Sequence, residues 1–211
     1  FGNRKFKKAK KILTKQVKKL EIFDHIIACG PNDLDHEFIK NHGEFIQNNS
    51  RGYGYFIWKP YIILKTLEKM RNNDILIYAD AGCRIYPKYK KRLYEYFEMI
   101  NSSKYGILNF NLASNDLMYT KSDLSRYLGV LEDKTLLVKP QVAGGIQILR
   151  KCNHSIMIMQ KWLEIFEADY HLIDDTPSKI ENATDFKEHR HDQSVLSLLV
   201  KIHGSLKIPD E

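Results

Sequence analysis

Phe6, Ala9, Leu13, Val17 and Leu20 recur at three- and four-residue spacing at the start of the chain, with lysines between them. That spacing predicts one amphipathic helix within residues 1–20, its apolar stripe buried and its lysines in water. A short β-type run follows, His25 to Cys29, closed by the turn cluster Gly30, Pro31, Asn32 and Asp33, and helical segments are expected up to Asn48. Residues 51–60, RGYGYFIWKP, put two glycines, aromatics and cations into a predicted loop. Pro60 suits the first turn of a helix over 60–71, along which Ile62, Leu64, Leu67 and Met70 are apolar. The run ILIYA, residues 75–79, reads as a buried strand, and Pro87 introduces a helix over about 88–100. Further strands fit Tyr105 to Phe110 and Gly145 to Leu149, and amphipathic helices fit 154–168 and 192–202. Strands alternating with helices predict an α/β fold with a mainly parallel central sheet flanked by helices.

At 211 residues, 43% hydrophobic and 28% charged, with no repeat and no linker, the chain is expected to form a single domain over 1–211. Apolar stretches fall well short of the roughly 20 residues that span a bilayer, so no transmembrane segment is expected. Phe1 is not an initiator Met and the opening is lysine-rich, so no signal peptide is read, and the sequence is expected to be part of a longer chain. The net charge of +7 suggests nucleic acid until its distribution is examined. Residues 1–20 hold nine Lys or Arg and no acid, which leaves 24 basic against 26 acidic residues in the rest. A nucleic-acid partner is therefore not expected. Cys29, Cys83 and Cys152 show no CxxC spacing and cannot all pair, which favours a reducing, cytoplasmic compartment.

In open α/β sheets ligands gather beyond the carboxyl ends of the strands, which gives weight to Asp80, directly after the 75–79 run. Its carboxylate suits a hard divalent cation or a ribose hydroxyl; the same acid could instead cap the turn. Arg51, Gly52, Gly54, Trp58 and Lys59 suit a stacked base or sugar with cations facing phosphate, or an aromatic loop packed on the core. Gly144 and Gly145, in KPQVAGGIQILR, allow backbone to approach a bound sugar, or mark a bulge. In DFKEHRHDQS, Asp192 is either a helix N-cap or a carboxylate within reach of an acceptor hydroxyl. His189 and His191 could share a metal only on an extended segment, and His203 is a lone candidate for a metal or diphosphate contact.

Taken in order, RGYGYFIWKPYIILKTLEKM, DILIYADAGC, VAGGIQILRK and HDQSVLSLL resemble landmarks of the nucleotide-sugar glycosyltransferases of the GT-A fold, in a small viral and bacterial branch. The resemblance implies a GT-A-like domain binding a UDP-sugar with Mn²⁺, or Mg²⁺, and passing the sugar to a glycan or glycoprotein hydroxyl. For a viral member it implies capsid-glycan synthesis in the host cytoplasm. Tyr78, Ala79 and Asp80 fall on the strand and first acid of the family's D-x-D signature, while Gly82 stands where the second acid belongs. The resemblance assigns Asp80 to the metal, with His203 as a possible helper. Arg51, Gly52, Trp58, Lys59, Gly144 and Gly145 fall to donor binding, and Asp192 to the acceptor side as the catalytic acid-base residue. Two other readings stay open at this point: a non-catalytic nucleotide or phosphate-binding module, and a metal-dependent phosphohydrolase built on Asp80, His189, His191 and Asp192.

Overall fold

The computed structural model describes all 211 residues. Its longer helices are α1 (Lys7–Lys18), α2 (His36–Asn48), α3 (Trp58–Lys69), α4 (Lys90–Ser102), α5 (Asn153–Ala168) and α6 (His191–His203). Its strands are β1 (Ile75–Ala79), β2 (Ile107–Asn115), β3 (Pro140–Val142), β4 (Ile146–Arg150) and β5 (Leu206–Pro209). Helix α3 begins two residues before the expected start, so Pro60 occupies its third position, where a missing N–H costs no intrahelical bond. Helix α2 is capped by Asp35, whose carboxylate accepts from the Phe38 N–H at 2.9 Å.

The sheet is mixed and mostly antiparallel, which corrects the mainly parallel expectation. Its order is β1-β4-β2-β3, with β5 joined to β2 in the single parallel pairing. β1 and β2 are connected through α4 and point the same way, as a crossover unit should. Yet β4 lies between them, antiparallel to both. A long-range pairing thus sets the sheet type, and the alternation of strand and helix along the sequence carries no record of it. The His25–Cys29 run is likewise not a strand. The Ala28 and Cys29 carbonyls accept from the Lys10 ammonium at 3.1 and 2.7 Å, and Cys29 C=O also accepts from Gly2 N–H. Those partners replace a neighbouring strand.

Alternate strand residues serve two cores. Ile107, Leu149 and Tyr78 face the larger one, shared with α3, α5 and α6; Leu108 and Ile148 face the smaller one, where Ile100 of α4 packs. Helices cover both faces, and α5 packs against both α3 and α6. This holds the amino ends of α3 and α6 fixed beside the carboxyl end of β1. No helix is long and apolar enough to cross a membrane.

Candidate functional site

Three chain segments meet at the carboxyl end of β1. The first is the turn after Ala79, where Asp80 N–H donates to Gly145 C=O at 2.8 Å and Cys83 N–H donates back to Asp80 C=O at 2.9 Å. The second is the Ala143–Gly145 segment, which leaves the ladder between β3 and β4. The third is the first turn of α6, carrying Asp192. Helix α3 supplies the part that joins them. Lys59, its side chain 2% exposed, donates to Asp192 Oδ2 and to Gly144 C=O at 3.1 Å, and lies 3.3 Å from Asp80 Oδ1. The Tyr78 hydroxyl, buried below, donates to the same Asp80 oxygen.

Burial alone would discharge the Lys59 ammonium, but Asp192 and then Asp80 outweigh it and hold its pKa above the ordinary lysine value. Asp192 moves the other way for an acid: burial pushes it up to about 6, against the pull of Lys59, and the charge on Asp80 adds to the rise. Burial and the nearby Asp80 also raise the Tyr78 hydroxyl well above its usual value, so it stays a donor.

The paired glycines follow from close approach. A Cβ on Gly144 would stand 2.8 Å from the Gln193 Cβ and 3.4 Å from Asp192 Oδ2; one on Gly145 would stand 3.3 Å from Asp80 Oδ2. Gln193 fixes the segment by accepting the Gly144 N–H at 3.0 Å. Above this floor lies a cleft of about 290 Å³, in which Phe56 is the one hydrophobic lining residue. Arg51, Glu188, Arg190 and His191 complete its walls. Tyr53, Tyr55, Phe56 and His191 all hold positive φ, between 48° and 66°, so non-glycine residues in an unfavourable backbone region gather beside the cleft.

Of the residues singled out from sequence, Arg51, Lys59, Asp80, Gly144, Gly145, His191 and Asp192 line this one cleft. The others do not. Trp58 is buried, donates its indole N–H to Gly52 C=O at 2.8 Å and stacks on Phe1 at 3.9 Å, so its face is already covered. Gly52 has φ +57°, and a Cβ there would strike the Phe56 ring at 2.6 Å; its part is to admit Phe56. Ala79 pairs with Ile146 inside the sheet, and Tyr78 supports Asp80 from beneath. His203 ends α6, some eleven residues and about 16 Å of helix from Asp192.

The shared-metal reading of His189 and His191 does not fit the ring nitrogens. His189 accepts from Lys121 N–H at 3.2 Å through Nδ1 and donates through Nε2 to Leu172 C=O at 3.0 Å, while His191 donates Nδ1–H to Ile173 C=O at 2.7 Å. Burial lowers both pKa values, so both rings are neutral structural links at neutral pH. Lys121, whose N–H meets His189, is bound through its ammonium to Asp174 at 3.0 Å and His171 C=O at 2.9 Å. Sequence reasoning passed over Phe56, Glu188, Arg190 and Gln193 as individual residues, although three lie in the same polar run as Asp192.

Asp80 is the more accessible acid, its side chain 36% exposed, with Oδ1 accepting from Tyr78 and Oδ2 lying 3.5 Å from Lys59 Nζ; Asp192 is 7% exposed and its Oδ2 is taken by Lys59. No three His, Cys, Asp or Glu side chains cluster here to hold a metal, so a divalent ion at Asp80 would have one protein carboxylate and would take the rest of its shell from water and ligand oxygens. No protein-family model, curated protein or solved structure matches this chain.

Proposed function

We propose that the protein is a glycosyltransferase that moves a sugar from a UDP-sugar to a hydroxyl of a glycan or glycoprotein. The observation that carries this reading is the pairing of Asp80 and Asp192 across one buried ammonium, on the floor of a cleft whose rim carries Arg51 and Arg190. The two acids differ as the chemistry requires. Asp80 is half-exposed, at a strand end, and suits the donor's diphosphate or ribose end. Asp192 is 7% exposed and has a pKa near 6, within the range useful to a base working at neutral pH.

Asp80 would hold Mn²⁺ or Mg²⁺, which as a Lewis acid neutralises charge on the departing diphosphate. Gly144 and Gly145, lacking side chains, let the sugar lie against backbone. Lys59 fixes Asp192 Oδ2 and keeps the carboxylate ionised in a buried place. In an inverting transfer Asp192 removes the acceptor proton as the anomeric carbon leaves UDP; in a retaining one it orients the acceptor. The UDP donor, the glycan acceptor and a role in viral capsid glycans are carried by the sequence resemblance alone; what the polar cleft supports is the binding of a polar ligand at Asp80 and Asp192.

A thermal-shift panel of UDP, GDP and CMP, each with and without Mn²⁺, tests the donor: UDP should stabilise, with metal. Asp80→Ala should abolish that shift. Asp192→Asn should keep UDP affinity near wild type and lower transfer by about 10² or more. An Asp80→Ala protein that still binds UDP with Mn²⁺, or an Asp192→Asn protein with near-normal turnover, would refute the assignments. UDP binding without any UDP-sugar turnover would instead mark a non-catalytic nucleotide module.

A further inference from the structure

We propose that α1 and the segment Arg84–Tyr94 form one docking surface for an anionic phospholipid membrane. On α1, Lys8, Lys11 and Lys15, with Lys19 at its C-cap, share the exposed face, and Ile12, 38% exposed, stands among them. None of these lysines is paired with an acid. Gln16, one step round the helix from Ile12, accepts the Ile85 N–H at 3.3 Å and so joins the second segment to this flank.

Between Ala81 and Tyr94 there are five cations, Arg84, Lys88, Lys90, Lys91 and Arg92, and no acid. Arg92 is held by Glu95 and Glu211, but the other four form no ion pair. Tyr86, Tyr89 and Tyr94 are 56%, 59% and 46% exposed, and Lys88 and Lys90 lie over the rings of Tyr89 and Tyr94. Unpaired lysines alone would suit any polyanion. Exposed tyrosines in contact with lysines of the second segment, with an apolar residue among the lysines of α1, suit a headgroup layer, where amphipathic rings settle and lysine stems reach the phosphates. Outside residues 1–20 and 84–94 the chain carries 19 basic and 26 acidic residues, so attraction to an anionic surface orients the molecule with this face down.

The Asp80–Cys83 turn leads from the cleft directly into Arg84, whose guanidinium donates to the Gly82 and Cys83 carbonyls at 3.1 and 2.8 Å. The docked face therefore adjoins the cleft mouth. The further step, that the acceptor glycan is borne on that membrane, rests on the transferase reading; the docking surface does not.

Vesicle co-sedimentation tests the surface, using phosphatidylcholine alone and phosphatidylcholine with about one-third phosphatidylglycerol, at low and high salt. Binding is expected to the anionic vesicles only, weakening with salt. The triple variant Lys8→Glu, Lys11→Glu, Lys15→Glu should lower it by about 100-fold or more, and Tyr86→Ser, Tyr89→Ser, Tyr94→Ser by roughly tenfold. Absence of binding to anionic vesicles at low salt overturns the proposal. So does full competition by a short RNA duplex together with an unaltered tyrosine variant, the mark of generic polyanion attraction. A UDP thermal shift on the same variants, expected to match wild type, separates failure of this surface from failure of the transferase reading.

Discussion

Replacing Lys59 by Met tests whether the buried triad is the organising feature of the cleft. Methionine keeps most of the stem's volume and removes the one ammonium between Asp192 and Asp80. Even with that ammonium in place, burial raises Asp192 to about 6, against about 3.9 in an unfolded chain. A shift of that size makes the ionised carboxylate cost the fold roughly 3 kcal/mol above pH 6. The sign follows from proton counting: the folded form binds the proton more tightly, so this contribution is favourable at low pH and is lost as pH rises through about 6. Without Lys59 the carboxylate has no counter-ion, and breaking a buried pair in this way costs about 3–5 kcal/mol. For a chain of this length that is a fall of about 6–20 °C in Tm. The loss should be largest at pH 8 and shrink at pH 5, where Asp192 takes up a proton in the variant. Adding Asp192→Asn should restore much of the stability, giving a coupling of at least about 2 kcal/mol in the double-mutant cycle. Urea unfolding of the four proteins at both pH values reads all of this. An equal loss at pH 5 and pH 8, or strictly additive variants, would refute the triad as described.

The glycine pair gives a steric prediction with an internal control. Gly144→Ala places a methyl 2.8 Å from Gln193 and should cost about 1–3 kcal/mol, whereas a Cβ on Gly82 meets nothing within 4 Å, so Gly82→Ala should leave chemical denaturation curves unchanged. If Asp192 is the base, kcat at saturating donor should rise with pH through an inflection near 6; an inflection that persists in Asp192→Asn would assign it elsewhere.

Legibility of the fold differed from element to element for physical reasons. The 75–79 strand and helices α3, α4, α5 and α6 were visible because burial imprints period and length on the sequence itself. The strand expected over 105–110 extends to Asn115, and β3 and β5 carried no signal: each is four residues or fewer and includes a proline. His25–Cys29 had a strand's composition, but its backbone is satisfied by Lys10 and Gly2, and side-chain competition for carbonyls does not show in a hydrophobic pattern. Asp80, Asp192 and the glycine pair were found because each stands beside an element end. What these residues do for one another was hidden. Lys59 looked like a cation for phosphate and is a buried counter-ion, and Trp58 looked like a stacking platform and is covered by Phe1. Burial of a lysine or a tryptophan is decided by what packs over it from distant segments, so local composition could not foretell either.

The same burial decides which cation is free to meet an incoming diphosphate. Lys59 is committed to two carboxylates in a place where leaving them would strand a charge. Arg51 is differently held. Its Nη1 alone donates to both Asp175 carboxylate oxygens, at 2.9 and 3.0 Å, on the cleft rim, with both side chains about half exposed, and pairs of that kind contribute only about 0–1 kcal/mol. A diphosphate offers Arg51 a more highly charged bidentate partner, so exchanging Asp175 for the ligand is favourable where withdrawing Lys59 is not. Arg51→Gln should then weaken UDP binding by roughly 10- to 100-fold, the loss of a hydrogen-bonded charge pair, with little change in stability. Asp175→Asn should do the reverse, tightening UDP up to about fivefold by releasing Arg51 from its resting partner. Calorimetric titration of UDP into the two variants, with Mn²⁺ present throughout, separates the possibilities. If Asp175→Asn weakens binding as much as Arg51→Gln, the pair works as a fixed wall of the cleft and Arg51 never changes partners.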